Sequence, residues 1–228
     1  MTREEWWKFA LSLSVALPAI IGIVRLKIID RSYYPFLVYI FVSLANELFV
    51  GLFQNSLEKK YNILNWQVFN LFEALVLFLQ FYAWQIFDRY KQFSRIVFAL
   101  LIAGWLIENF LYSSIYAFNP IFLISYSFFL VLLSVQAINK VILKQNTLPL
   151  HKNAMFIICV AMVLFFIYNV FVFTLQGMGI SKTNKQLMAQ VFNIRVYVNA
   201  FTNLLYGLAV YYIPAKISSA QFFGKNIP

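Results

Sequence analysis

Residues 64–87 read L-N-W-Q-V-F-N-L-F-E-A-L-V-L-F-L-Q-F-Y-A-W-Q-I-F. The stretch is long and apolar enough to cross a bilayer, whose hydrocarbon core takes about 20 helical residues to span. Glu73 nonetheless sits near its middle. Gln67, Asn70, Glu73, Gln80 and Trp84 recur at helical spacing, so one stripe of an otherwise apolar helix is polar. An ionisable group at membrane depth costs roughly 2.5–3.5 kcal/mol even on the lenient insertion scale. It persists where it faces protein or trapped water, which makes it a functional-site hypothesis by default.

The rest of the chain has the same character. Of 228 residues, 62% are hydrophobic and 11% charged, and Phe alone contributes 26. A soluble domain carries about a quarter charged residues, so the composition is that of an integral membrane protein and leaves no stretch for a soluble domain. The formal charge is +10. In a soluble protein that would raise nucleic acid as a partner. Here the basic residues lie in short loops beside apolar spans, the ordinary topogenic pattern, and no nucleic-acid partner is expected. Cys159 is the only cysteine and His151 the only histidine. An internal disulfide is excluded, and no His/Cys cluster exists for zinc. Glu4 and Glu5 open the chain and no A-x-A site follows the first apolar run. That run reads as a retained helix rather than a cleaved signal peptide.

The expected fold is an all-α membrane protein, a seven-transmembrane-helix bundle forming one domain over 1–228. The spans fall at about 8–26, 36–54, 64–87, 95–117, 120–142, 153–175 and 187–213. Pro18 should kink the first, and Pro214 ends the last. Loops one, three and five with the tail hold Arg25, Lys27, Arg31, Arg89, Lys91, Arg95, Lys140, Lys144, Lys152, Lys216 and Lys225. The N-terminus and even loops hold only Arg3, Lys8, Lys59, Lys60, Lys182 and Lys185. Loop basicity therefore puts the N-terminus outside and the C-terminus in the cytoplasm, in what is expected to be a bacterial inner membrane. A parallel 3+1+3 repeat is also legible: Gln67-Val68-Phe69-Asn70 matches Gln190-Val191-Phe192-Asn193, and at the same offset Asn46 meets Asn169. Repeats of this kind occur in membrane carriers. Coincidence in a Phe- and Val-rich chain is the competing explanation.

On this topology Glu47, Glu73, Glu108 and Arg195 fall on four spans at comparable depth, between the outer surface and the midplane. Four charges at one depth suggest a shared site. Tyr39, Ser43 and Glu47 share a face, as do Trp105, Glu108, Tyr112 and Tyr116, and Arg195, Asn199, Thr202 and Tyr206. Asn46, Asn70, Asn109, Asn169 and Asn193 add amides nearby. The bland alternative is that the amides hold the bundle together, at about 0.6 kcal/mol per interhelical hydrogen bond. For the charges that alternative is weaker, because buried charge is a poor source of stability. Three carboxylates face one guanidinium, so at least two must protonate, reach water or bind a cation. The site would favour a cationic or amine-bearing ligand, or a proton. Arg195 gripping an anionic group is the second option.

Several classes drop out. A retinal protein needs a lysine at the middle of the last helix, where Asn199 stands between Lys185 and Lys216. A seven-helix zinc hydrolase needs several histidines. The Pro–Gln signature of small sugar carriers is absent. No Ser, Cys or Thr nucleophile stands with a His base and no phosphate loop is present, so no catalytic residue, metal or cofactor is assigned. Acid–base hydrolysis by carboxylates remains as a third option. Charges confined to the outer half favour a receptor-like sensor, signalling through a separate partner, over a small-solute or proton-coupled transporter.

The last span, N-I-R-V-Y-V-N-A-F-T-N-L-L-Y-G-L-A-V-Y-Y-I-P-A-K, and the N-L-F-E of residues 70–73 resemble small bacterial seven-helix membrane proteins of unknown function. Such proteins are often encoded beside sensor histidine kinases. The resemblance implies a signalling partner of that kind, in the membrane or the cytoplasm. It supplies no catalytic residues.

Overall fold

The computed structural model describes residues 3–53, 58–87, 91–143 and 149–215, and it is all-helical, with no strand among them. Arg89, Lys144, Lys216 and Lys225 of the loop-charge reading lie outside the described residues. Six helical spans are long and apolar enough to cross a membrane: Trp6–Arg25, Arg31–Phe53, Lys59–Ala83, Ser94–Tyr112, Ile121–Leu143 and Ala154–Gly177. This is the architecture of an integral membrane protein. A further long helix, α9 (Lys185–Tyr212, 28 residues), is long enough but carries Asn193, Arg195, Asn199 and Asn203, and it is less apolar than the six.

The first span is broken where proline chemistry requires it. Helix α1 (Arg3–Ser12) passes through a 3-10 turn (Leu13–Val15) into α2 (Ala16–Arg25). Pro18 lacks an N–H and its ring crowds the carbonyl four residues back, that of Ser14, inside this turn. Helix α3 (Tyr34–Phe53) carries Pro35 in its first turn, where no amide bond is lost. Helix α4 (Lys59–Ala83) ends four residues short of the span expected from sequence. Gln85 adopts a left-handed φ of 58°, Ile86 N bonds Phe81 O and Gln85 N bonds Tyr82 O, the pairing of a Schellman terminus. Lys140 Nζ, from the end of α6 (Ile121–Leu143), donates to Gln85 O at 2.6 Å and to Trp84 O at 3.3 Å. A cation thus meets the carbonyl end of α4.

Helix α5 (Lys91–Leu106) widens into a π turn at Ile107–Tyr112, and the chain becomes extended at Ser113. The fourth helix therefore stops five residues before the expected end at 117. Asn153 and Asn184 cap α7 (Ala154–Gly177) and α9, accepting from Phe156 N and Leu187 N. The short α8 (Ile180–Thr183) lies between them.

Helices α6, α7 and α9 pack in sequence, α9 against α2, α3 against α4, and α4 against both α5 and α6. One end of the bundle is solid. Phe36 and Ile40 of α3, Leu77 and Phe81 of α4, Ile158 of α7 and Ala209 of α9 are fully buried there. Arg25 fastens α9 at that end through Val210 O (2.6 Å), Tyr211 O and Ile213 O (2.9 Å). Gln80 fastens α4, accepting from Phe36 N at 2.8 Å and donating to Ser32 O at 2.7 Å. Large apolar side chains such as Leu100, Leu132, Ile167 and Phe171 face outward, as a hydrocarbon surround demands.

Candidate functional site

The other half of the bundle holds a cavity of about 290 Å³. Its walls come from the α1–α2 junction, α3, α4, α6, α7 and α9. Of the residues singled out by sequence, Asn46, Glu47, Asn70, Glu73, Asn169, Arg195 and Asn199 line it. Ser12, Ser43, Tyr39 and Asn203 add polar atoms, and Trp66, Phe69 and Phe165 add aromatic wall. The polar stripe of α4 points inward as its spacing requires: Gln67, Asn70, Glu73 and Gln80 are each at most 5% exposed.

Glu73 is held by two tyrosines from different helices. Tyr39 Oη donates to Oε1 at 3.0 Å, and Tyr126 Oη to Oε2 at 2.6 Å. Arg195 is held from α7: its Nε donates to Asn169 Oδ1 at 2.9 Å, and its guanidinium lies 5.0 Å over the Phe173 ring. Glu73 and Glu47 both lie within electrostatic reach of Arg195. No ion pair within 4 Å joins Arg195 to Glu47 or Glu73, so neither carboxylate closes onto the guanidinium. Asn46 Oδ1 accepts from Asn65 Nδ2 at 2.9 Å, and Asn203 Nδ2 donates to Ser14 Oγ at 2.9 Å. Asn70 Nδ2 and Ser43 Oγ are buried in the lining without a protein partner. A polar atom that deep is costly to leave unsatisfied. Two carboxylates, one guanidinium and two orphaned polar groups thus share a space large enough for water or a small solute.

Three expected members stand elsewhere. Glu108 lies in the π turn and closes the head of α6, accepting from Ile121 N at 2.9 Å and Phe122 N at 2.7 Å. Asn109, beside it, donates to Trp105 O at 3.0 Å. Asn193 is partly buried on α9 and does not line the cavity. Helix α5 contributes no wall at all. Sequence reasoning missed Tyr126, the shortest bond to Glu73. The available signal was Ser125-Tyr126-Ser127, a polar triplet inside the apolar run of α6. Among the described residues no group of three His, Cys, Asp or Glu is placed to hold a metal ion. No protein-family model, curated protein or solved structure matches the chain.

Proposed function

We propose that the chain is a receptor-like membrane protein whose cavity binds a small amine-bearing solute from outside and passes occupancy to a separate cytoplasmic partner. The observation that carries this reading is the charge of the cavity wall. Glu47 and Glu73 face one guanidinium, a formal excess of one negative charge, and none of the three is neutralised by a direct ion pair. A cation entering this space gains Coulomb energy that water would screen away, and Tyr39, Trp66 and Phe69 place aromatic rings in the wall.

Sensing is favoured over carriage because the opposite half of the bundle is packed solid around Phe36, Ile40, Leu77 and Phe81. With α9 as a seventh span, loop basicity directs the cavity outward and the packed end to the cytoplasm of a bacterial inner membrane. The 3+1+3 repeat draws support from Asn46 and Asn169, which line the cavity from α3 and α7. A histidine kinase is the class of partner the sequence resemblance suggests.

The test uses purified protein in nanodiscs with short primary amines and short carboxylates as probes. An amine should raise the melting midpoint, and Glu47→Gln should abolish the rise. If carboxylates shift the midpoint and amines do not, the cation reading is wrong. Labelled amine that binds but does not accumulate in proteoliposomes separates receptor from carrier.

A further inference from the structure

A second concavity, of about 720 Å³, lies between α5 and α6 and shares no lining residue with the polar cavity. Leu100, Leu101, Gly104 and Ile107 form one wall, Ile121, Phe122 and Phe129 the other. We propose that this groove is the seat of one acyl chain of a membrane phospholipid.

The groove exposes little polar surface, and Glu108 in its wall is only 4% exposed. Glu108 is the one ionisable carboxylate in its wall, and both oxygens are taken by Ile121 N and Phe122 N. Ser125 Oγ donates to Ile121 O at 2.8 Å, and the Tyr126 hydroxyl is spent on Glu73. Apart from the exposed Tyr112 at one end, what remains is hydrocarbon surface, complementary to an uncharged chain. The groove is also continuous with the membrane-facing side, where Leu100 and Ile121 are each 63% exposed. Both flanking helices are long and apolar enough to cross the bilayer, so the medium at its mouth is lipid.

Shape favours a single hydrocarbon chain over an enclosed helix of a second copy. The lining runs from Val97 to Tyr112, about 22 Å at 1.5 Å per residue. Dividing 720 Å³ by that length leaves a mean cross-section of about 33 Å². A helix about 10 Å across needs about 80 Å². A single hydrocarbon chain lying along the membrane normal fits where a helix does not. Tyr126, only 1% exposed, forms part of the wall with its ring while its hydroxyl holds Glu73. The chain therefore packs against the residue that positions the carboxylate of the polar cavity.

Gly104 provides the test. A Cβ built there meets nothing nearer than Phe122 Cδ2 at 3.9 Å, so a larger side chain can enter the groove without displacing backbone. The full chain is placed in nanodiscs of phosphatidylcholine carrying a photoreactive group on one acyl chain, and labelled positions are mapped by mass spectrometry. Labels are expected to concentrate on residues 97–112 and 121–129, in excess over the outward-facing Ile167 and Phe171 of α7. Gly104→Phe should remove that excess about tenfold, the equivalent of roughly two buried methylenes. The milder Gly104→Leu should lower it in the same direction if the Phe variant does not retain the wild-type melting midpoint. Labelling of the groove no stronger than that of α7 overturns the proposal. So does an excess that Gly104→Leu leaves untouched in a folded protein, or a cross-link from α5 to a second copy.

Discussion

Tyr126→Phe removes one hydroxyl and leaves the ring. The lost bond is 2.6 Å long and ends on a carboxylate that is 5% exposed. Interhelical hydrogen bonds in membranes average about 0.6 kcal/mol and reach about 1.7, while bonds to charged groups contribute about 1.5–3. A short O–H···O contact to a buried carboxylate belongs where these ranges meet, so the expected loss is about 1.5 kcal/mol. The 3.0 Å bond from Tyr39 is longer, and Tyr39→Phe should cost about half as much on the same scale. The double variant is the informative one. Each single variant leaves Glu73 one donor, but together they strand it, and an uncompensated buried charge costs about 3–5 kcal/mol. The loss in the double variant should therefore exceed the sum of the two single losses by more than the roughly 0.5 kcal/mol that separates coupled from independent sites. Adding Glu73→Gln to the double variant should recover most of the loss, because no charge is then stranded. Equilibrium unfolding in mixed micelles, titrated with SDS, reads all four proteins. A Tyr126→Phe cost below about 0.5 kcal/mol, or a triple variant no better than the double, would refute the two-tyrosine clamp.

The same titration tests Glu108. Glu108→Ala leaves Ile121 N and Phe122 N without their acceptor and should cost about 2 kcal/mol or more, while Glu108→Gln, keeping one acceptor oxygen, should cost about half that. Arg25→Ala removes three carbonyl contacts at the end of α9. Hydrogen exchange at Val210–Ile213 should quicken, with the α4 core around Leu77 unchanged, as expected for a local opening.

What could be read in advance was what repeats. The stripe of α4 has a period of 3.6, and the helix places Gln67, Asn70, Glu73 and Gln80 inside because one face of it must be. Depth could also be read, since it is a count of residues from a helix end. It brought Glu47, Glu73 and Arg195 to one cavity, but it failed for Glu108, because depth does not say which way a side chain points. The π turn at Ile107–Tyr112 ends the helix early and swings Glu108 toward α6. There was a chemical hint. Helices α7 and α9 begin after Asn153 and Asn184, which cap them with their own side chains. Helix α6 follows Pro120, which carries no side-chain acceptor. Its first N–H groups needed a carboxylate from elsewhere, and Glu108 was the apolar-span acid nearest in sequence.

The same reasoning explains why the central charges share a space without collapsing onto one another. A lone Glu–Arg pair in a medium of low dielectric should close to contact, since Coulomb attraction there is strong. Each of the two is instead restrained by neutral groups on other helices. Glu73 is held between α3 and α6 by Tyr39 and Tyr126. Arg195 is drawn toward α7 by Asn169 and the face of Phe173. Those tethers keep the gap open against the pull of opposite charges, and they meet part of each group's hydrogen-bonding need, which lowers the desolvation cost of keeping them apart. A bundle selected for stability alone would do better with apolar residues of similar volume at both positions. Two charges kept apart by dedicated partners, beside an Asn70 amide nitrogen and a Ser43 hydroxyl that no protein group satisfies, give this cavity a wall suited to polar and charged groups and not to hydrocarbon.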